Sequence, residues 1–298
     1  MEKISFYTLA SVAYKKIFIQ KTPWIFGSVL ALTLISEDKV FSSLKTLTSL
    51  EEVTAFLSRQ SFESVWPFLL ITLLLALVHA FGQGNLITSL QFLIEGKKFA
   101  YTISKRKTLI RSTVILFLIE TILFSILLGI LGILSLPLFL ASFVNASALP
   151  LLTNLLLLTL LFFILLFSLL KQFIFCYALF SPLSLRSAFK LSVNLFYKHT
   201  SISIFFFIFT LFLSTLFTFF VNIAILGIVA IVKWLSLPLT QNTIEIFCLF
   251  AFFAGFSVFL QALWILFFAS IAKSKDEPKE EKERVSASEQ IAPDVPQI

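Results

Sequence analysis

The stretch LLTNLLLLTLLFFILLFSLLKQFIFCYA, Leu151 to Ala178, decides how this chain must be read. Its apolar residues surround the helix axis and Lys171 is its only charge. A run of more than about 20 such residues is long enough to cross the hydrocarbon core of a bilayer. In lipid it satisfies its backbone N–H and C=O groups by turning helical. Hydropathy on either side marks five further spans, at about Ile17–Ile35, Val65–Ile94, Ser112–Leu134, Ile202–Ile225 and Ile246–Ile271. The first has a short apolar centre, Trp24 to Ile35, and reaches spanning length only by including Lys21, whose long stem can snorkel to the headgroups. The expected fold is all-α, a polytopic transmembrane bundle of about six spans.

Composition agrees. A chain of 298 residues and 33.7 kDa has room for two soluble domains, but 58% hydrophobic residues, 13% charged and a mean hydropathy of +0.99 leave too little charge to cover a soluble surface. The net charge of +7 is no nucleic-acid signature either, because the bases sort by membrane side. Of the 23 Lys and Arg residues, 19 fall on the face that holds both termini and four on the other, so both termini are expected in the cytoplasm, with the inner membrane of a bacterium as the setting. The opposite face carries Glu37, Asp38, Glu51, Glu52 and Glu63. Residues 1–272 form the helical membrane domain, and 273–298, with mixed charges and three prolines, read as a disordered cytoplasmic tail. No cleavable leader is visible after Glu2 and Lys3, so the first span is expected to stay in the mature chain. Cys176 and Cys248 sit in apolar runs and read as free, structural thiols.

Between the spans lie stretches too polar to cross. Leu183 to His199 puts Leu185, Ala188, Phe189, Ser192, Leu195 and Phe196 on one helical face and Arg186, Lys190, Asn194 and Lys198 on the other, the pattern of a helix lying in the membrane interface. Arg186 and Lys190, with Lys97 and Lys98, are the expected contacts to anionic headgroups. Ile4–Ile19, Lys97–Lys107 and, on the outer face, Val40–Arg59 show weaker versions, which ordinary connecting loops would also explain. The motif LSLPL occurs at Leu134–Leu138 and again at Leu235–Leu239, each after a long apolar helix with glycine (Gly129 and Gly132; Gly227). Spans two and three would then repeat as four and five in parallel orientation, unless a five-residue match in a Leu-rich chain is chance.

Several short motifs carry a resemblance. Gly84, Asn85 and Glu95-Gly96-Lys97-Lys98, then Ser181-Pro182 and Leu185-Arg186-Ser187-Ala188-Phe189-Lys190-Leu191-Ser192, make the chain from about Tyr14 to Lys273 resemble a bacterial family of polytopic proteins. They are related to the membrane domain attached to some glycerophosphodiester phosphodiesterases. The resemblance implies a six-helix bundle with interfacial helices. It implies no activity, because the phosphodiesterase chemistry belongs to a separate soluble domain.

Catalytic sets are missing from the sequence. The three aspartates, Asp38, Asp276 and Asp294, lie outside the spans, which argues against an intramembrane aspartyl protease or an acid-rich metal site. Two histidines, His79 and His199, are too few for a zinc site built by protein ligands alone. Glu51-Glu52 lacks the base that an intramembrane-protease motif needs five positions on, where Phe56 stands. No phosphate loop, dinucleotide fingerprint or serine elbow occurs. No enzyme and no cofactor are expected.

Polar residues at membrane depth remain. His79 and Gln83 share a face of span two, Glu120 lies in span three, Gln172 follows Ser168 on span four, Asn222 follows Thr218 on span five and Gln261 follows Ser257 on span six. Facing inward they would form a seam, with His79 or Arg111 the expected partner of Glu120. Such a seam is either interhelical glue or a transport path. Two functions follow: a scaffold that holds a protein partner or organises lipid, or a small permease.

Overall fold

The computed structural model describes residues 5–19, 21–40, 62–95, 106–144, 149–180, 184–235 and 240–273. Among them the chain is all-α, with eight helices and no strand. In order they are α1 (Phe6–Ile17), α2 (Thr22–Val40), α3 (Phe62–Ile94), α4 (Arg106–Val144), α5 (Leu149–Phe180), α6 (Leu185–Lys198), α7 (Thr200–Trp234) and α8 (Gln241–Lys273). Helices α3, α4, α5, α7 and α8 are each long and apolar enough to cross a membrane, and α1 and α2, bent by 102° at the break between them, meet the same requirement only when taken together, as a broken span or a re-entrant pair. The protein is a multi-pass helical membrane protein. The expected outer-face helix beyond Val40, Lys97, Lys98 and the tail after Lys273 lie outside the described residues.

The first span differs from its expected form. There is no continuous helix over Ile17–Ile35: α1 ends at Ile17, and α2 starts at Thr22 with Pro23 in its first turn, where a missing N–H costs nothing. Lys21 is exposed and lies in the break, directly before α2. Two bonds fix the bend. Trp24 Nε1 donates to the carbonyl of Ile17 at 2.9 Å, and Lys16 Nζ donates to the carbonyl of Ile94 at 3.2 Å, placing a cation at the negative end of α3. The expected interfacial helix Leu183–His199 is present as α6, N-capped by Ser184, whose Oγ accepts from the backbone N–H of Ser187 at 3.3 Å. Helix α4 runs through the first LSLPL motif, residues 134–138; α7 ends at Trp234, and the second motif beyond Leu235 lies outside the described residues.

Glycines set how closely the spans approach. A Cβ on Gly27 would stand 2.5 Å from Val258 Cγ2 and 2.7 Å from the Ala254 carbonyl oxygen, so α2 meets α8 nearly backbone to backbone. A Cβ on Gly84 would stand 2.9 Å from the Ser112 carbonyl oxygen, the same arrangement between α3 and α4. These are small-residue contacts of the kind that drive packing where lipid removes the hydrophobic incentive. Gly129, Gly132 and Gly227 face open space and are not packing points. Phenylalanine is not only lipid-facing filler: Phe173, Phe175, Phe206 and Phe267 are fully buried, and the Phe206 and Phe267 rings stack at 3.9 Å with Trp264 edge-on to Phe206 at 4.8 Å. Trp66 and Trp234 are exposed, as interface anchors require.

The core occupies one half of the bundle. Helix α3 is buried on all sides from Gly82 to Leu90, and α8 from Gln261 to Ile265. Beyond that level the helices separate. No described residue of α5 from Leu152 to Ser168 is buried, nor of α4 after Leu123, nor of α3 before Ala80. There α7 and α8 keep a small cluster of their own, Val221, Ile225 and Val229 against Ile244 and Cys248. The chain is thus tightly packed near the end that carries α1 and α6 and splayed at the other.

Candidate functional site

Polar side chains gather where the tight half gives way to the splayed half. Glu120 stands near the middle of the α4 span and Lys171 about six turns into α5. The adjacent, roughly antiparallel packing of α4 and α5 brings them together, and Lys171 Nζ donates to Glu120 Oε1 at 3.1 Å. The expected partners were His79 and Arg111. Arg111 is exposed at the end of the span, and His79 Nε2 lies 3.9 Å from Glu120 Oε1, a secondary neighbour. His79 Nε2 hydrogen-bonds instead to Gln83 Oε1 at 3.0 Å, one turn along α3. Lys171 Nζ also sits 5.4 Å from the centroid of the Phe175 ring, over a face that attracts cations. The lysine that charge counting assigns to a membrane face is therefore an intramembrane ion-pair partner. The side chains of His79, Glu120 and Lys171 are 24%, 23% and 28% exposed, so the cluster is reachable.

The other members of the expected seam divide. Gln261 Nε2 donates to Gln172 Oε1 at 3.3 Å, joining α8 to α5. Asn222 lies on the exposed face of α7, away from the rest, because Val221 and Ile225 take the face toward α8. A second polar contact was not anticipated. Ser112 Oγ donates to Asn85 Oδ1 at 2.7 Å, while Asn85 Nδ2 donates to the Phe81 carbonyl at 2.8 Å and to Thr113 Oγ1 at 3.3 Å. Asn85 is completely buried, and this clasp sits beside the Gly84 crossing. The signal was present in the sequence as the Gly84-Asn85 pair, which directly follows Gln83.

A groove of about 270 Å³ opens at the ion pair, between α4 and α5. Glu120, Lys171 and Ser168 supply its polar wall, and Leu123, Phe124, Leu127, Ile164 and Phe167 the apolar remainder. The apolar walls run toward the splayed half. Among the described residues no group of three or more His, Cys, Asp or Glu is placed to hold a metal ion.

The headgroup-facing bases Arg186 and Lys190 are both exposed on α6, and α6 has three sectors. Ala188, Ser192 and Leu195 are buried against the bundle. Phe189, Val193 and Tyr197, spaced four apart, form an exposed apolar flank, and Arg186, Lys190, Asn194 and Lys198 an exposed polar one. Comparison with protein-family models, curated proteins and solved structures finds no match.

Proposed function

We propose that the chain is a non-catalytic membrane protein of a bacterial inner membrane, with both termini cytoplasmic, that organises anionic lipid along its basic face. The single observation that carries this reading is the three-sector surface of α6. A helix bound to the bundle on one side, apolar on the next and basic on the third fits the boundary between protein, acyl chains and headgroups. A helix in a water-filled loop gains nothing from the exposed Phe189, Val193 and Tyr197. Protein recognition on the same face is compatible with it, as is the family likeness carried by Leu185–Ser192, which implies interfacial helices. A second reading, a small permease, is favoured by the groove that reaches Glu120. Its weakness is that, among the described residues, the Gln83–His79–Glu120–Lys171 cluster, the Gln172–Gln261 pair and exposed Asn222 are not joined into one hydrogen-bonded path.

Juxtamembrane bases contribute about 1 kcal/mol each to anionic-lipid attraction, about fivefold per charge. The variant Arg186→Gln/Lys190→Gln in nanodiscs of phosphatidylcholine and phosphatidylglycerol is expected to lose most of the phosphatidylglycerol enrichment around the protein. Enrichment unchanged from wild type sinks the lipid reading.

A further inference from the structure

The ion pair at the groove is built in a way that packing alone does not require. A lysine ammonium has three donors and a carboxylate about four acceptor positions, more than the one Lys171–Glu120 contact uses. Within hydrocarbon each unsatisfied polar position is costly, and intramembrane charges normally face the interior of a bundle or a wet cavity. Here both stand in the wall of a groove together with the exposed Ser168 hydroxyl. The remaining capacity is one free positive and one free negative site, side by side. A lone anion would satisfy only Lys171 and a lone cation only Glu120. A zwitterion with a phosphate and an ammonium satisfies both, completing a ring of four alternating charges.

We infer that the α4–α5 groove binds a zwitterionic phospholipid, its phosphate on Lys171 and its ammonium on Glu120, with its chains along the apolar wall. This rests on the lipid-organising reading and gives it a second, separate site. The source is the bilayer and not the aqueous phase, because Leu123, Phe124, Leu127, Ile164 and Phe167 line the rest of the groove and α5 is uncovered and apolar from Leu155 to Phe167 apart from Thr159. A free amino acid has no match for those walls, whereas acyl chains do. The volume, about 270 Å³, lies below the ~300–1,000 Å³ of sites that enclose a drug-sized ligand, so the groove takes a headgroup and leaves the chains in the membrane.

The test uses the full chain, purified in mild detergent, exchanged into phosphatidylethanolamine and phosphatidylglycerol, then stripped and examined by native mass spectrometry. One phosphatidylethanolamine per chain is expected to survive stripping. Leu127→Trp fills the groove without touching a charge, and Glu120→Gln/Lys171→Met removes both charges together. The double variant should lower that retention by about a hundredfold, the worth of two charge-assisted hydrogen bonds, and the tryptophan by about tenfold or more by occupying the groove. Arg186→Gln/Lys190→Gln should leave it unchanged while losing phosphatidylglycerol, which separates failure here from failure of the interfacial reading. Thermal melting of each variant confirms folding, and if Leu127→Trp does not fold, Ile164→Trp replaces it. Equal retention of phosphatidylglycerol, retention unaffected by the tryptophan, or displacement by soluble phosphoethanolamine as readily as by lysophosphatidylethanolamine would each overturn the proposal.

Discussion

Removing either member of the Glu120–Lys171 pair should harm the fold more than removing both. At 3.1 Å and an effective dielectric near 20, the Coulomb attraction is about 5 kcal/mol, and the desolvation of two ions in a membrane interior offsets most of it. The net worth of the intact pair is therefore small. Glu120→Gln alone strands the Lys171 ammonium at membrane depth, which costs about 3 kcal/mol on insertion scales. Lys171→Met alone strands a carboxylate that still has His79 at 3.9 Å, so a milder loss of about 2 kcal/mol is expected. The double variant Glu120→Gln/Lys171→Met should fall within about 1 kcal/mol of wild type, giving a coupling of about 4 kcal/mol or more. Unfolding of the full chain in bicelles, followed by helical circular dichroism against added sodium dodecyl sulfate, measures all four states. Losses that add to within about 0.5 kcal/mol would mean that the two side chains do not meet.

Three further outcomes follow from packing and charge. Gly27→Ala and Gly84→Ala push a methyl against backbone of the neighbouring span and should each cost about 1–3 kcal/mol in the same unfolding assay, whereas Gly129→Ala, which meets open space, should be neutral or stabilising by up to about 1 kcal/mol. Asn85→Ala removes the acceptor of Ser112 and two donors, and should cost about 1–2 kcal/mol, at the upper end of measured intramembrane polar contacts; an unchanged midpoint would show that the clasp carries no stability. A reporter fused after Lys273 should report from the cytoplasm, and activity of a reporter that works only in the outer compartment would reverse the proposed orientation.

How far the structure could be read in advance depends on what each residue type reports. Hydropathy reports depth, and depth located α3, α5 and α8 within a few residues, because an apolar run ends where charge begins. It missed the break between Ile17 and Thr22, although Gln20, Lys21 and Pro23 interrupt the apolar run there, because Lys21 reads as a snorkelling member of one helix; the bonds from Trp24 to Ile17 and from Lys16 to Ile94 that accompany the break have no signal in hydropathy. The C-terminal ends of α4 and α7 ran longer than expected, to Val144 and Trp234: α4 continues through Ser135 and Pro137, and α7 through the apolar run up to Lys233, since a helix in lipid continues while its hydrogen bonds are satisfied.

Azimuth, the direction a side chain takes around its helix, is what hydropathy does not report, and the site is made of azimuth. Gly84 and Gly129 look alike in sequence, yet one touches the Ser112 backbone and the other touches nothing, because Gly84 faces α4 in the tightly packed half and Gly129 lies in the splayed half. Gln261 and Asn222 were equivalent candidates, and α8 turned one toward Gln172 while α7 left the other exposed. Lys171 shows the same limit in charge. Counted with the loop bases it supports an orientation, but α5 continues nine residues past it to Phe180, about 13 Å along the axis, so the ammonium lies within the span. Once there it needs a carboxylate, and Glu120 is the acid that α4 presents at the same level. A lysine well inside a span and a lone glutamate in the adjoining one were each legible; that they face each other follows only from the register of α4 on α5, which the packing of the helices sets.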